Sequence, residues 1–205
     1  MATKTGIGLL PVVLILVAAV VFVDPVRELA GDLLGIEGGG TTLLGEEESQ
    51  VMVAGDAESA ARLCTTVEMI ADRRCGDVRV VVFDAARIPF ITRNVASAWA
   101  EGKPGVLTMN RSAQGPNRNA ACGRFKKTVP DGSCDEYPMA STDEGGSNAR
   151  TEEVPLRENR CQGGIVKPQY PENGAKFLVV ISHPDLIPSK SYTGVDVAED
   201  QTCGN

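Results

Sequence analysis

Beyond the N-terminal segment, two short stretches are apolar at nearly every position, and neither shows helical spacing. Residues 77–89 open with Asp-Val-Arg-Val-Val-Val-Phe, and residues 175–183 read Ala-Lys-Phe-Leu-Val-Val-Ile-Ser-His. Short β-branched and aromatic runs bounded by polar turns predict buried strands. Between them, Ile91, Val95, Ala98 and Trp99 recur at helical spacing, and Gly102 and Pro104 stop the pattern. That predicts one good helix. The remaining intervals are more polar. Residues 57–73 fit a short helix or a loop closed by cysteines, and residues 155–164 a helix start or a tight polar turn. Residues 106–151, rich in Gly, Asn, Pro and Ser, predict loops. Strands, one clear helix and a long polar middle make an α+β domain.

The N-terminus follows another pattern. Residues 7–23 form an uncharged apolar run of 17 residues behind Lys4, short for a full membrane span and long for a signal-peptide core. Residues 1–23 are expected to be a signal peptide or a membrane anchor. Either places the remainder outside the cytoplasm, secreted or held on the extracellular side, with the membrane met only through this segment. Residues 24–50 carry glycines, threonines and an acidic run, which predicts a linker. Residues 51–205 are then the folded domain.

The cysteines agree with export. Cys64, Cys75, Cys122, Cys134, Cys161 and Cys203 include no C-x-x-C pair, and the single histidine, His183, is distant from all of them in sequence. This favours a disulfide framework in an oxidising compartment over zinc. Pairing between sequence neighbours gives Cys64–Cys75, Cys122–Cys134 and Cys161–Cys203.

A net charge of −7 by itself argues against a nucleic-acid partner, but its distribution changes that reading. Residues 85–130 hold eight basic side chains (Arg87, Arg93, Lys103, Arg111, Arg118, Arg124, Lys126, Lys127) against Glu101 alone. Residues 131–158 hold Asp131, Asp135, Glu136, Asp143, Glu144, Glu152, Glu153 and Glu158 against Arg150 and Arg157. Basic residues beside carboxylates suit phosphodiester hydrolysis, in which cations hold the backbone while acids position a metal and accept a proton. Two solvated faces of opposite sign would give the same pattern.

Residue types add what charge leaves open. Cys134-Asp135-Glu136-Tyr137-Pro138 is followed by Glu158-Asn159-Arg160-Cys161-Gln162-Gly163, with residues 83–111 and 116–125 upstream in order. Across about residues 78–185 this resembles the NucA/NucB-type secreted bacterial deoxyribonucleases. The resemblance implies a small disulfide-bonded α+β domain similar to the ββα-metal nucleases. It also implies an endonuclease that hydrolyses DNA in a sequence-independent way with a divalent cation, Mg²⁺ or Mn²⁺.

Carried onto this chain, the resemblance makes Asp135 the general base, with Glu136 beside it as an orienting carboxylate. It puts Glu158, Asn159 and Gln162 on the metal side. Where some relatives have a further acid, residues 163–174 offer only Glu172. Arg118 and Arg160 fit phosphate clamps because guanidinium matches phosphate geometry, and Arg124, Lys126 and Lys127 extend the DNA-binding block. Tyr137 and Pro138 fit packing and turn roles, Glu144 a turn, and His183 a structural role. No obligate protein partner is evident. The competing functions are an inactive DNA-binding surface protein and a disulfide-rich surface protein that binds a cation.

Overall fold

The computed structural model describes residues 40–203, and the apolar segment at 7–23 lies outside them. Among the described residues the elements run β1 (Thr41–Leu44), β2 (Val51–Ala54), α1 (Glu58–Ala61), α2 (Thr66–Ala71), β3 (Arg74–Cys75), β4 (Val78–Asp84), α3 (Pro89–Ala100), β5 (Val106–Thr108), α4 (Gln114–Cys122), β6 (Gly132–Tyr137), β7 (Arg150–Pro155), α5 (Leu156–Ile165) and β8 (Lys176–Ser182). None of these helices is long and apolar enough to cross a membrane.

The two apolar runs are β4 and β8. They pair in parallel from Arg79↔Phe177 to Asp84↔Ser182. Parallel strands are covered on both faces, which is why both read as continuous hydrophobic runs. From Phe177 to Ser182 every residue of β8 is buried. β8 is the centre of a sheet ordered β1-β2-β8-β4-β3, with β5 also pairing to β8. β2 takes the end of β8 around Ile181 and Ser182, and β5 takes the end around Lys176 to Leu178.

The domain begins earlier than the linker reading placed it. β1 pairs antiparallel with β2, from Thr41↔Ala54 to Leu44↔Val51, and Leu44 is buried. The glycines and acids around this Thr-Thr-Leu-Leu stretch conceal a strand too short to show a pattern of its own. The interval at 57–73 forms the two short helices α1 and α2. α2 starts in a capping box in which Thr65 accepts from the Glu68 backbone and Glu68 answers to Thr65.

α3 is the hub. Eight of its residues, Pro89, Phe90, Ile91, Thr92, Asn94, Val95, Ala98 and Trp99, are buried. One side meets β1, β2 and β4, and another meets the separate antiparallel hairpin β6–β7. The apolar spacing predicts the first side. The second is polar and is buried all the same, through contacts described below.

The polar middle is more regular than its composition suggests. α4 carries Gly115, Pro116, Asn117 and Asn119, residues of low helix propensity. Pro116 sits in the first turn, where its missing N–H does no harm, and Asn110 accepts from the Ala113 N–H just before the helix. A disulfide then fastens the far end, Cys122, to Cys134 on β6. Disulfides also join Cys64 to Cys75 and Cys161 to Cys203. The 155–164 interval is helical, as α5.

Behind the hairpin, Tyr137 closes the core against α3. Its hydroxyl accepts from Trp99 Nε1 at 2.9 Å and donates to the Pro104 carbonyl at 2.8 Å, with the rings edge to face. Tyr137→Phe keeps the ring and orphans both partners. Unfolding by urea should show a loss of about 1–3 kcal/mol, and an unchanged midpoint would mean that these hydrogen bonds contribute nothing to stability.

Candidate active site

β6 carries the Cys-Asp-Glu-Tyr motif, and a strand turns successive side chains to opposite faces. Asp135 and Tyr137 turn toward α3. Cys134 and Glu136 turn toward α4 and α5. On this second face lies a cavity of about 390 Å³, lined by Arg118 and Gln114 of α4, by Glu136, by Met139 to Ser141, by Asn159, Gln162 and Gly163 of α5, and by Lys167, Tyr170 and Arg111.

Glu136 sits on its floor. The side chain is only 6 % exposed, its Oε2 accepts from Arg118 Nη1, and Arg118 Nη2 donates to the Cys134 carbonyl at 2.9 Å. Burial pushes the Glu136 carboxyl above its ordinary pKa, against the opposing pull of Arg118. Asn159 is oriented from below, since its Nδ2 donates to Ser133 Oγ and to the Cys134 carbonyl, both at 2.8 Å. With the amide nitrogen committed to β6, Oδ1 is the Asn159 atom left to accept or ligate. On the wall, Tyr170 bonds to Ser141, and burial raises its hydroxyl above the usual tyrosine range, so it stays a neutral donor.

Asp135 lies elsewhere. Its carboxylate is 1 % exposed and Oδ2 accepts from Asn94 Nδ2 of α3 at 2.8 Å. Arg150 in turn donates to Asn94 Oδ1 and to Glu152, which also takes Arg93. Asp135 is thus part of a polar network that joins α3 to the hairpin. Burial, opposed by the Asn94 hydrogen bond, raises its pKa to about 7.

Glu158 is also away from the cleft. It is fully buried on α5, and Oε2 accepts from the Ile91 N–H at 3.0 Å in the first turn of α3. A carboxylate there satisfies a helix-end donor and complements the helix dipole. Oε1 lacks a hydrogen-bond partner and lies 3.7 Å from Arg157, and burial raises the group to about 8. The strand and helix periodicities therefore divide the motif residues. Glu136, Asn159, Gln162 and Arg118 share the cleft, while Asp135 and Glu158 hold α3.

Arg160, Arg124 and Lys126 are exposed, and Lys127 lines a neighbouring groove with Arg118. Glu144 is a turn residue whose carboxylate accepts from the Thr108 N–H. His183 pairs with Asp84 at 2.8 Å. Ser141, Tyr170 and Lys167 belong to the cleft without having stood out in the sequence. Each comes from a connecting segment with no periodicity to read, and only Ser141 lies near the motif.

The oxygen donors suit a hard cation. The amide oxygens of Asn159 and Gln162, beside the Glu136 carboxylate, are hard donors of the kind Mg²⁺ takes while it keeps most of its waters. The closest approach of potential soft ligands, Cys122 and Cys134 beside Glu136, is no metal site because both sulfurs are in a disulfide.

The domain is small, disulfide-bonded and α+β, with a carboxylate–arginine pair in an amide-lined cleft. Residues 92–180 match the model of the deoxyribonuclease NucA/NucB family. No curated protein matches the sequence. The matched stretch runs from α3 to β8 and contains the whole cleft. β1 to β4, α1, α2 and the Cys64–Cys75 bridge fall outside it.

The two buried acids have a consequence for stability. Both are raised above their unfolded values, so the folded state holds their protons more tightly. Their contribution is complete below the unfolded pKa and is lost as pH rises through about 7 for Asp135 and about 8 for Glu158. Glu58 and Glu68, lowered by hydrogen bonds from Thr42 and Thr65, act in the opposite sense, below about pH 4–5. Urea unfolding should therefore give a stability that falls, on the order of a few kcal/mol, between pH 5.5 and 8.5. Glu158→Gln should flatten that slope. A stability that rises over the same window would contradict the burial of these carboxyls.

Proposed function

We propose that the protein is an exported, divalent-cation-dependent endonuclease that hydrolyses DNA phosphodiester bonds with little sequence preference, and that the reaction takes place over Glu136. The observation that carries this is the cleft itself. Glu136 and Arg118 meet on its floor, and the Asn159 and Gln162 amides stand beside them. β6, β7 and α5 follow one another directly, a strand–strand–helix order that supports similarity to the ββα-metal nucleases. Three disulfides support an oxidising, extracellular setting.

Glu136 is the proton acceptor. Water attacks the phosphorus, its proton passes to the Glu136 carboxylate, and one P–O ester bond breaks as the leaving oxygen takes a proton from solvent. Burial favours this role, since a carboxylate whose pKa is raised is a better base than an exposed one. Arg118 offers a guanidinium to the phosphate oxygens, and its bond to the Cys134 carbonyl keeps it in place. Asn159 and Gln162 would hold Mg²⁺ or Mn²⁺, whose charge would offset that developing on the phosphate. Asp135 acts from behind, fixing β6 against α3 and so aiming Glu136. Exposed Arg124, Lys126, Lys127 and Arg160 supply sequence-independent attraction to the backbone.

A plasmid-nicking assay with Mg²⁺ or Mn²⁺, with and without EDTA, tests the reading. Cleavage should appear with metal and vanish with chelator. Glu136→Gln should lower the rate by roughly 10²–10⁴-fold. Asp135→Asn, which retains shape and the Asn94 contact, should keep most of the activity. If Asp135→Asn is the inactive variant and Glu136→Gln cleaves normally, the two carboxylates exchange roles. DNA binding without cleavage under every metal condition would instead identify a binding protein.

A further inference from the structure

Beside the cleft runs an open groove of about 630 Å³ between α4 and the start of β6. Arg118 borders both, so a strand lying over Glu136 continues past Arg118 into the groove. Phe125 and Lys127 form its outer wall, and Gly115 and Asn119 of α4 the inner one.

Phe125 is the unusual member. Phe83, Phe90, Trp99, Tyr137, Phe177 and Tyr192 belong to the hydrophobic core and Tyr170 packs against it. Phe125 is half-buried and, among the described aromatic residues, lies outside that core. Cations surround it in sequence: Arg124, Lys126 and Lys127.

The wall is also held in place. The Phe125 N–H donates to the Cys122 carbonyl at 3.0 Å, Cys122 is bridged to β6, and Lys127 Nζ donates to the Pro130 carbonyl at 2.8 Å. Just beyond, Glu153 accepts from the Thr128 and Val129 N–H groups. A wall whose backbone is fixed in advance loses less entropy when a flat partner stacks on its ring. An aromatic face among cations beside a phosphodiester cleft is the chemistry of an unpaired base and its phosphate.

We propose that this groove binds an unpaired nucleotide of the substrate strand next to the scissile phosphate, its base stacked on Phe125 and its phosphate drawn by Lys127. The proposal rests on the cleft being the nuclease site, and it implies that single-stranded or locally opened DNA is held better than intact duplex.

The test measures binding by fluorescence anisotropy in the full-length Glu136→Gln protein, which separates affinity from cleavage. The probes are a labelled single-stranded oligodeoxynucleotide, its duplex, and the same strand with abasic sites. Phe125→Ala should raise Kd for the single strand by roughly 5–100-fold and leave the duplex and abasic strand nearly unchanged. Gly115→Glu gives a second route, because a side chain there meets nothing within 4 Å. It should fold normally, place a negative charge in the groove and weaken the single strand with or without its bases, because the charge repels the phosphate.

Hydrolysis of bis(p-nitrophenyl) phosphate, which is too small to reach the groove, should be equal in Phe125→Ala and wild-type proteins. Unchanged single-strand affinity in both variants overturns the proposal, as does an equal loss for strand, duplex and abasic probe in Phe125→Ala. If the wild-type protein cleaves no DNA, the reading of the cleft fails, and the base-dependent affinity still decides whether the groove binds a nucleotide.

Discussion

Helix α3 lies between the central sheet and the β6–β7 hairpin, and burial of its polar side sets the geometry of everything around the cleft. Asn94 is fully buried, so both ends of its amide must be paired, because an unpaired buried amide costs more than its hydrogen bond returns. Asp135 takes the Nδ2 end and Arg150 the Oδ1 end, one from each strand of the hairpin. A slip of β6 by one residue would leave the Asn94 Nδ2 without its acceptor and reverse every side chain of the strand. The register that satisfies Asn94 is the register that turns Glu136 to the cleft.

Glu158 fastens the same helix from another side. It meets the first turn of α3 at Ile91, and it comes from the turn of α5 that carries Asn159. The two neighbours point different ways because about 100° of helix separates successive residues. One ties α5 to α3 and the other reaches β6 and the cleft. The Cys122–Cys134 bridge adds a covalent restraint between α4 and β6 on the cleft side. Arg118, one helical turn before Cys122, is thereby held over Glu136. Three helices and one strand are fixed to one another by contacts that are mostly polar and mostly out of solvent.

Such an arrangement trades stability for placement. Asp135 and Glu158 are carboxyls that burial makes reluctant to ionise, and apolar residues of similar size would fill their sites without that penalty. What the acids provide is directional, a defined partner on α3 for the hairpin and for α5. The apolar parts of the domain, β4, β8 and the sheet side of α3, need no such direction and are built from Val, Ile, Leu and Phe.

The sequence by itself determined the elements whose burial is uniform or periodic. Val80 to Phe83 and Phe177 to Ile181 are legible as strands because both faces are covered, and Ile91, Val95, Ala98 and Trp99 reveal α3 because the sheet needs an apolar stripe. It also marked the stretch that holds the cleft, through residue types around Cys134 and Glu158. It did not reveal β1, whose four residues are too few to carry a pattern, or α4, whose Asn, Gly and Pro residues argue locally against a helix that the neighbouring β6 and the bridge to Cys134 support. Above all, residue type and charge did not separate Asp135 from Glu136, and their different roles came from the resemblance alone. The two acids are adjacent and chemically alike, and only the face each takes on β6 distinguishes them. That face is chosen by Asn94, 41 residues away along the chain, so the choice belongs to the tertiary structure.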